Sequence, residues 1–274
     1  MINLNDNDSL RDSLKNSEAA NKIKMLTEEN LDFHKFLFRK VGLNKFAIPG
    51  YVKGGIHTYE GHIIITILKE MSKLLTSGET INILEIGTGT GWSTVCMATA
   101  SFYLENDVKL KIDTVDISAE FQEKVKKNIL IPNNLLNLVN FITMTSSEFF
   151  KQNKKSYNFI LIDGCHQYEI FKNDLAQSLK CIDNTKANAI FCDDCYKTPK
   201  GKKGLDDAIE EFVKENNNDS KSFAFLTDYL FDLHSYPDDQ HDVQRMLNKW
   251  KKRDYEHWSR DADPKATMFA ILNL

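Results

Sequence analysis

Apolar positions along the chain recur at two spacings, one of about 3.6 residues and one of short unbroken runs. From Glu60 to Leu75 they fall at Ile63, Ile64, Ile67, Leu68, Met71, Leu74 and Leu75, the spacing of a helix with one face in a core. Beyond it, apolar runs predict strands at 81–86, 110–116, 138–143, 157–162 and 187–192. Helical stretches alternate with them, beginning at Trp92 and Ala119 and covering 168–181 and 203–215. This alternation predicts an α/β fold with a doubly wound, mostly parallel sheet. The rhythm then breaks: 223–233 and 266–272 read as two strands separated by a charged helical insert at about 238–261. Residues up to about Glu29 are polar and charge-mixed, Phe33 to Phe38 are dense in aromatics, and Pro49-Gly50 with Gly54-Gly55 mark a loop region. The expected division is an N-terminal helical extension or cap over 1–55 and a main domain over 56–274.

The first strand runs into Glu85-Ile86-Gly87-Thr88-Gly89-Thr90-Gly91-Trp92-Ser93. Glycines at such a turn allow a sharp bend and a close approach of ligand to backbone. A dinucleotide fingerprint fails in both registers, because its third glycine would fall on Trp92 or Thr94, and a phosphate-binding P-loop fails for want of a Lys-Ser or Lys-Thr. The loop carries Glu85 and no basic residue, which suits a cationic ligand. The next strand ends in Asp116, where α/β nucleotide folds hydrogen-bond ribose hydroxyls. A tight turn without a ligand, and Asp116 as a helix cap, are the plainer readings of these features, although Ser118 is nearer the cap position.

This pattern resembles motif I of the class I S-adenosylmethionine-dependent methyltransferases. The resemblance implies S-adenosylmethionine as cofactor, with Glu85, Gly87, Thr88, Gly89, Gly91, Trp92, Ser93, Asp116, Ile117 and Asp163 around it. It also implies adenine contacts at Ser146 and Ser147. The segment Thr145-Ser146-Ser147-Glu148 reads equally well as a helix N-terminus with a supporting glutamate.

Strand 157–162 delivers Asp163, followed by Gly164, Cys165 and His166, and strand 187–192 delivers Asp193 and Asp194. In an open parallel sheet these three acids should gather outside the strand ends, where a hard divalent cation such as Mg2+ would relieve their repulsion. Ile162 to Tyr168, Asp174-Leu175, Asp193-Asp194 and Gly204 to Phe212 are similar to blocks of metal-dependent O-methyltransferases of the macrocin and mycinamicin type, and more distantly to catechol O-methyltransferase. That resemblance implies Asp163, Asp193 and Asp194 as metal ligands, with Asp163 also part of the catalytic group. It implies His166 as the base that deprotonates an acceptor hydroxyl, a role open to imidazole near neutral pH. The usual proline-glycine-glycine turn is absent, Asp183-Asn184-Thr185-Lys186 standing there. A zinc site from Cys192, Cys195, Cys165 and His166 is a rival reading of the same segment. His57, Tyr59 and Glu60 fall where the family closes over the methionine end of the cofactor.

The composition narrows the partners. A net charge of −4 over 274 residues, with no basic stripe, argues against nucleic acid. No apolar run has membrane-spanning length, no signal peptide is apparent at Met1, and five irregularly spaced cysteines suit a reducing cytoplasm. The expected activity is O-methylation of a small-molecule hydroxyl on a sugar, polyketide or phenol, as in natural product biosynthesis. A regulatory cofactor-binding protein and a metal-independent N- or C-methyltransferase are the alternatives. The N-terminal extension and the late insert are candidates for a homo-oligomer contact.

Overall fold

The structure is a computed structural model, and it describes residue 10 and residues 13–40, 58–130, 133–195, 203–216, 222–227 and 266–274. The helices are α1 (Glu18–Lys40), α2 (Thr58–Lys73), α3 (Trp92–Ala100), α4 (Ala119–Val125), α5 (Ser146–Gln152), α6 (Tyr168–Cys181) and α7 (Leu205–Asn216). The strands are β1 (Thr80–Ile86), β2 (Lys109–Asp116), β3 (Val139–Thr143), β4 (Phe159–Ile162), β5 (Asn188–Cys192), β6 (Ser222–Thr227) and β7 (Ala266–Asn273). They form one seven-stranded sheet in the order β3-β2-β1-β4-β5-β7-β6. The first five strands are parallel, and β7 joins antiparallel to both β5 and β6. The expected α/β architecture with an antiparallel C-terminal pair is therefore the observed one.

Alternation along each strand divides the core in two, since successive side chains leave opposite faces. Ile81 and Ile83 of β1, Phe159 and Leu161 of β4, and Met268 and Ala270 of β7 pack with α1, α2 and α3 on one face. Leu84 and Ile86, Ile160 and Ile162, and Phe269 and Ile271 pack with α5, α6 and α7 on the other. The N-terminal segment meets both faces. Leu10 and Leu14 are buried in the second cluster, Ala20 and Ile23 in the first, and between them the Ser17 hydroxyl donates to the Phe223 carbonyl of β6 at 3.1 Å. The segment thereby covers an edge strand whose free backbone groups would otherwise pair with another chain.

Element boundaries differ from expectation by a few residues. Helix α2 ends at Lys73, leaving Leu74 exposed, and β4 begins at Phe159, Tyr157 making only an isolated bridge to Ile182. The strand expected over 223–233 is described to Thr227, and the loop at 49–55, His57, the rest of that strand and the insert at 238–261 lie outside the described residues. No described helix is long and apolar enough to cross a membrane.

Candidate cofactor and cation site

The parallel strands β1, β2, β4 and β5 bring their carboxyl ends to one side of the sheet. At the end of β1 the chain turns through Gly87, Gly89 and Gly91, all with positive φ. Two of these positions tolerate no side chain. A Cβ on Gly87, at φ +99, would lie 2.0 Å from the Asp163 carbonyl oxygen, and one on Gly91, at φ +80, would lie 2.1 Å from a Val125 methyl. The Gly87 amide donates to Val115 O at 2.8 Å, which fastens the turn between β2 and the loop after β4.

Glu85 lies beneath this turn. It is completely buried, and its carboxylate accepts the hydroxyls of Ser93 at 2.5 Å, Thr94 at 2.6 Å and Thr114 at 2.5 Å. Burial pushes its pKa up to about 7 against the opposing pull of those three donors. Glu85 and Ser93 are bonded to each other beneath the turn and brace the first turn of α3 against β2. Thr88 is buried as well, 2.6 Å from the Thr114 hydroxyl. Trp92 is partly buried at the start of α3.

Asp116 ends β2 with a partly exposed carboxylate that accepts the Gly89 amide at 2.9 Å and the Ser118 amide at 2.7 Å. Ser118, not Asp116, caps α4, its hydroxyl accepting the Phe121 amide. The neighbouring Ile117 is 75% exposed, an apolar face standing open beside the acid. Beyond β3, Thr145 and Glu148 form a complete capping box at the start of α5, Ser146 is partly buried and Ser147 is exposed. Sequence reasoning passed over Gln122. Buried on α4, it accepts the Thr143 hydroxyl at 2.8 Å and donates to Ile142 O at 3.2 Å, tying the end of β3 under the glycine turn.

The acids do not converge as a threesome. Potential ligand atoms of Asp163, His166 and Asp194 all lie within 4.8 Å of one another, and His166 Nε2 is 3.5 Å from Asp194 Oδ2. Asp193, expected beside them, is buried and turned to the equally buried Glu60 of α2, with which it shares a hydrogen bond. The cause is local geometry: consecutive residues leaving an extended strand point to opposite sides, and Asp194 then takes a left-handed backbone at φ +52. Burial, Glu60 and Asp194 together push the Asp193 pKa well up. Asp163 is raised for the same reasons, burial first and then the charges of Asp193, Asp194, Glu85 and Asp116. No signal in the sequence pairs Glu60 with Asp193. Among the described residues no cysteine joins the cluster: Cys192 and Cys195 are buried, the Cys195 thiol donating to Cys192 O at 3.2 Å, and Cys165 is exposed.

Residues 84–195, which hold the glycine turn, Asp116, Asp163, Asp193 and Asp194, match the family described as "Methyltransferase domain". No protein of curated function matches the sequence. Among solved structures, a protein from Klebsiella pneumoniae provisionally described as an O-methyltransferase is 15% identical, with 87% of this chain and 90% of that one covered and a TM-score of 0.52. An O-methyltransferase from Bacillus cereus, solved in complex with SAH, is 14% identical, with 97% and 96% covered and a TM-score of 0.50. At such identities these likenesses carry the fold alone. Residues 84–195 are thus similar to a methyltransferase domain, and the chain has the α/β Rossmann-like fold of the class I methyltransferases.

Proposed function

We propose that the protein transfers the methyl group of S-adenosylmethionine to a hydroxyl oxygen of a small molecule, a sugar or polyketide alcohol or a phenol, beside a divalent cation. The observation that carries this reading is the meeting of Asp163, His166 and Asp194 next to the glycine turn. Asp116 offers its carboxylate to the ribose, Ile117 an apolar face to the base, and Ser146 and Ser147 a polar edge. The solved Bacillus cereus neighbour holds SAH, which supports the same cofactor here.

Two carboxylates and an imidazole within reach of one another fit Mg2+ or another divalent cation. Asp163 and Asp194 are the residues that would hold it. A cation bound there supplies positive charge that favours the deprotonated form of a hydroxyl. His166, exposed at the cluster's edge, takes the acceptor proton. The acceptor oxygen then displaces the thioether: the carbon–oxygen bond forms as the carbon–sulfur bond breaks, and the sulfonium leaves as S-adenosylhomocysteine. Positioning of the acceptor against the methyl group contributes most of the acceleration.

Release of S-adenosylhomocysteine across a panel of sugars, polyketide alcohols and catechols tests this reading. Chelation should abolish it and Mg2+ restore it. Asp194→Asn should weaken Mg2+ binding by calorimetry more than Asp193→Asn does. His166→Ala should slow turnover by ~10²–10⁴-fold with cofactor affinity nearly unchanged. Full activity in excess chelator would remove the cation from the proposal, and a His166→Ala variant as fast as the parent would remove the base.

A further inference from the structure

Away from the glycine turn, at the amino-terminal end of the parallel strands, lies a cavity of about 330 Å³ bounded by β1, β2, β3 and the segment that leads into β4. Its polar lining is Asn82, Lys111, Asp113, Asn137, Asn140 and Lys155. Leu110 and Ile112 pack into the first core cluster, so Lys111 and Asp113 leave β2 on the other face, with Val115. Asp113 stands three residues before Asp116, ~10 Å back along the strand.

Asp113 is 7% exposed and spends its carboxylate within the protein. Oδ1 accepts the Asn140 amide at 2.8 Å, and Oδ2 accepts Lys155 Nζ at 2.7 Å and the Tyr157 hydroxyl at 2.8 Å. Burial alone would raise its pKa, but these donors hold it below the usual carboxylate range. The ionised acid fixes the Lys155 ammonium and takes only one of its three protons. Positive charge is left over. Among the described residues Lys111 has no acidic or hydrogen-bonding partner for its ammonium, and the side-chain amides of Asn82 and Asn137 have none either. Lys111 and Lys155 against Asp113 give the lining one net positive charge, in a chain whose total is −4.

We propose that this cavity is a second small-molecule site, separate from the cofactor site, and that it takes the phosphate monoester of a small polyol, such as a sugar phosphate. The phosphoryl oxygens accept from Lys111 and Lys155 in charge-assisted hydrogen bonds, and the Asn82 and Asn137 amides pair with hydroxyls of the polyol. The volume lies at the lower end of the roughly 300–1,000 Å³ of small-molecule sites. It has room for a sugar ring and none for a folded peptide or a nucleic-acid strand.

The test is calorimetry on the full chain, freed of divalent cations by dialysis so that no metal holds the phosphate, with glucose 6-phosphate, inorganic phosphate and glucose as probes. Glucose 6-phosphate should bind with a Kd of about 1 mM or tighter, inorganic phosphate more weakly, and glucose not measurably. Lys111→Met should weaken the ester at least about tenfold, the loss of one hydrogen bond between charged groups. Lys155→Met should do the same, with its fold checked by circular dichroism because it also strips Asp113 of a partner. Lys151→Met, an exposed position on α5 outside the lining, should change nothing. Saturating S-adenosylhomocysteine should leave the ester bound. If Lys155→Met does not fold, Lys111→Met decides, since that side chain holds nothing else in place. No binding of either phosphate overturns the proposal, and so does a folded Lys111→Met that binds as tightly as the parent. Displacement of the ester by S-adenosylhomocysteine overturns it as well, by placing the phosphate at the cofactor site. Inorganic phosphate binding as tightly as the ester would overturn the polyol half and leave a site for free phosphate.

Discussion

Burying Glu85 beneath the glycine turn strips its carboxylate of water, and three hydroxyls return only part of what is lost. Its pKa accordingly moves from 4.5 to about 7. Folding favours the protonated form, so the associated stability is fully present below the unfolded pKa and is lost as pH rises through about 7. At one pKa unit per 1.36 kcal/mol, the loss amounts to about 3 kcal/mol across that window. Glu85→Gln cannot ionise and should escape it. Urea unfolding of both proteins at pH 5 and pH 8 should show the variant gaining on the parent by ~2–3 kcal/mol at the higher pH. A difference in stability that does not change with pH would mean that Glu85 keeps its charge in the folded state. The same burial explains why the residue suits the turn: its oxygens gather Ser93 and Thr94 of α3 and Thr114 of β2 onto one point, which holds the loop's shape from below.

Among the elements, the N-terminal segment contributes more to the core than its polar sequence suggests. Leu14 is 4% exposed in the cluster formed with α6 and α7, although mixed charges surround it in the chain. Truncation to alanine should leave a cavity and cost ~2–4 kcal/mol in denaturant unfolding, with the cofactor site untouched. A cost below about 0.5 kcal/mol, the ordinary range of a surface substitution, would show the segment to be undocked. Elements built from local pattern agree closely with expectation: α3 begins at Trp92 and α6 runs from Tyr168 to Cys181 as the periodicity predicts. The apolar run that predicts β4 begins two residues early, because Tyr157 is buried for another reason. Its hydroxyl donates to the Asp113 carboxylate at 2.8 Å, so an apolar pattern extends past the end of the ladder.

At the scale of the whole molecule, a cofactor lying across the ends of β1, β2 and β4 would join elements that otherwise meet only through the sheet. Such a ligand binds the folded chain and not the unfolded one. At a free concentration of one hundred times its Kd, S-adenosylhomocysteine should stabilise the protein by about 2.7 kcal/mol. For a chain of this size that corresponds to a rise in Tm of about 5–10 °C. Asp116→Ala should reduce the rise by weakening the binding. No rise in the parent at saturating ligand would contradict the cofactor assignment.

The order of strands and helices, the glycine turn and the acids at the strand ends were legible in the sequence because each is a local signal. Apolar spacing reports which face of an element is buried, and a turn that admits no side chain announces itself as glycine. The direction in which a polar group points is not local. Asp193 and Asp194 are neighbours in the chain, yet one is buried against Glu60 and the other joins Asp163 and His166, since successive residues leave a strand on opposite sides. Glu85 reads as a carboxylate for a cation, and the structure bonds it to Thr114 on another strand and to Ser93 and Thr94 at the start of α3. The sequence by itself determined the sheet and where its chemistry would collect. The tertiary structure alone decided which of those groups face a ligand and which face one another, because that choice depends on side chains brought together from segments far apart in the chain.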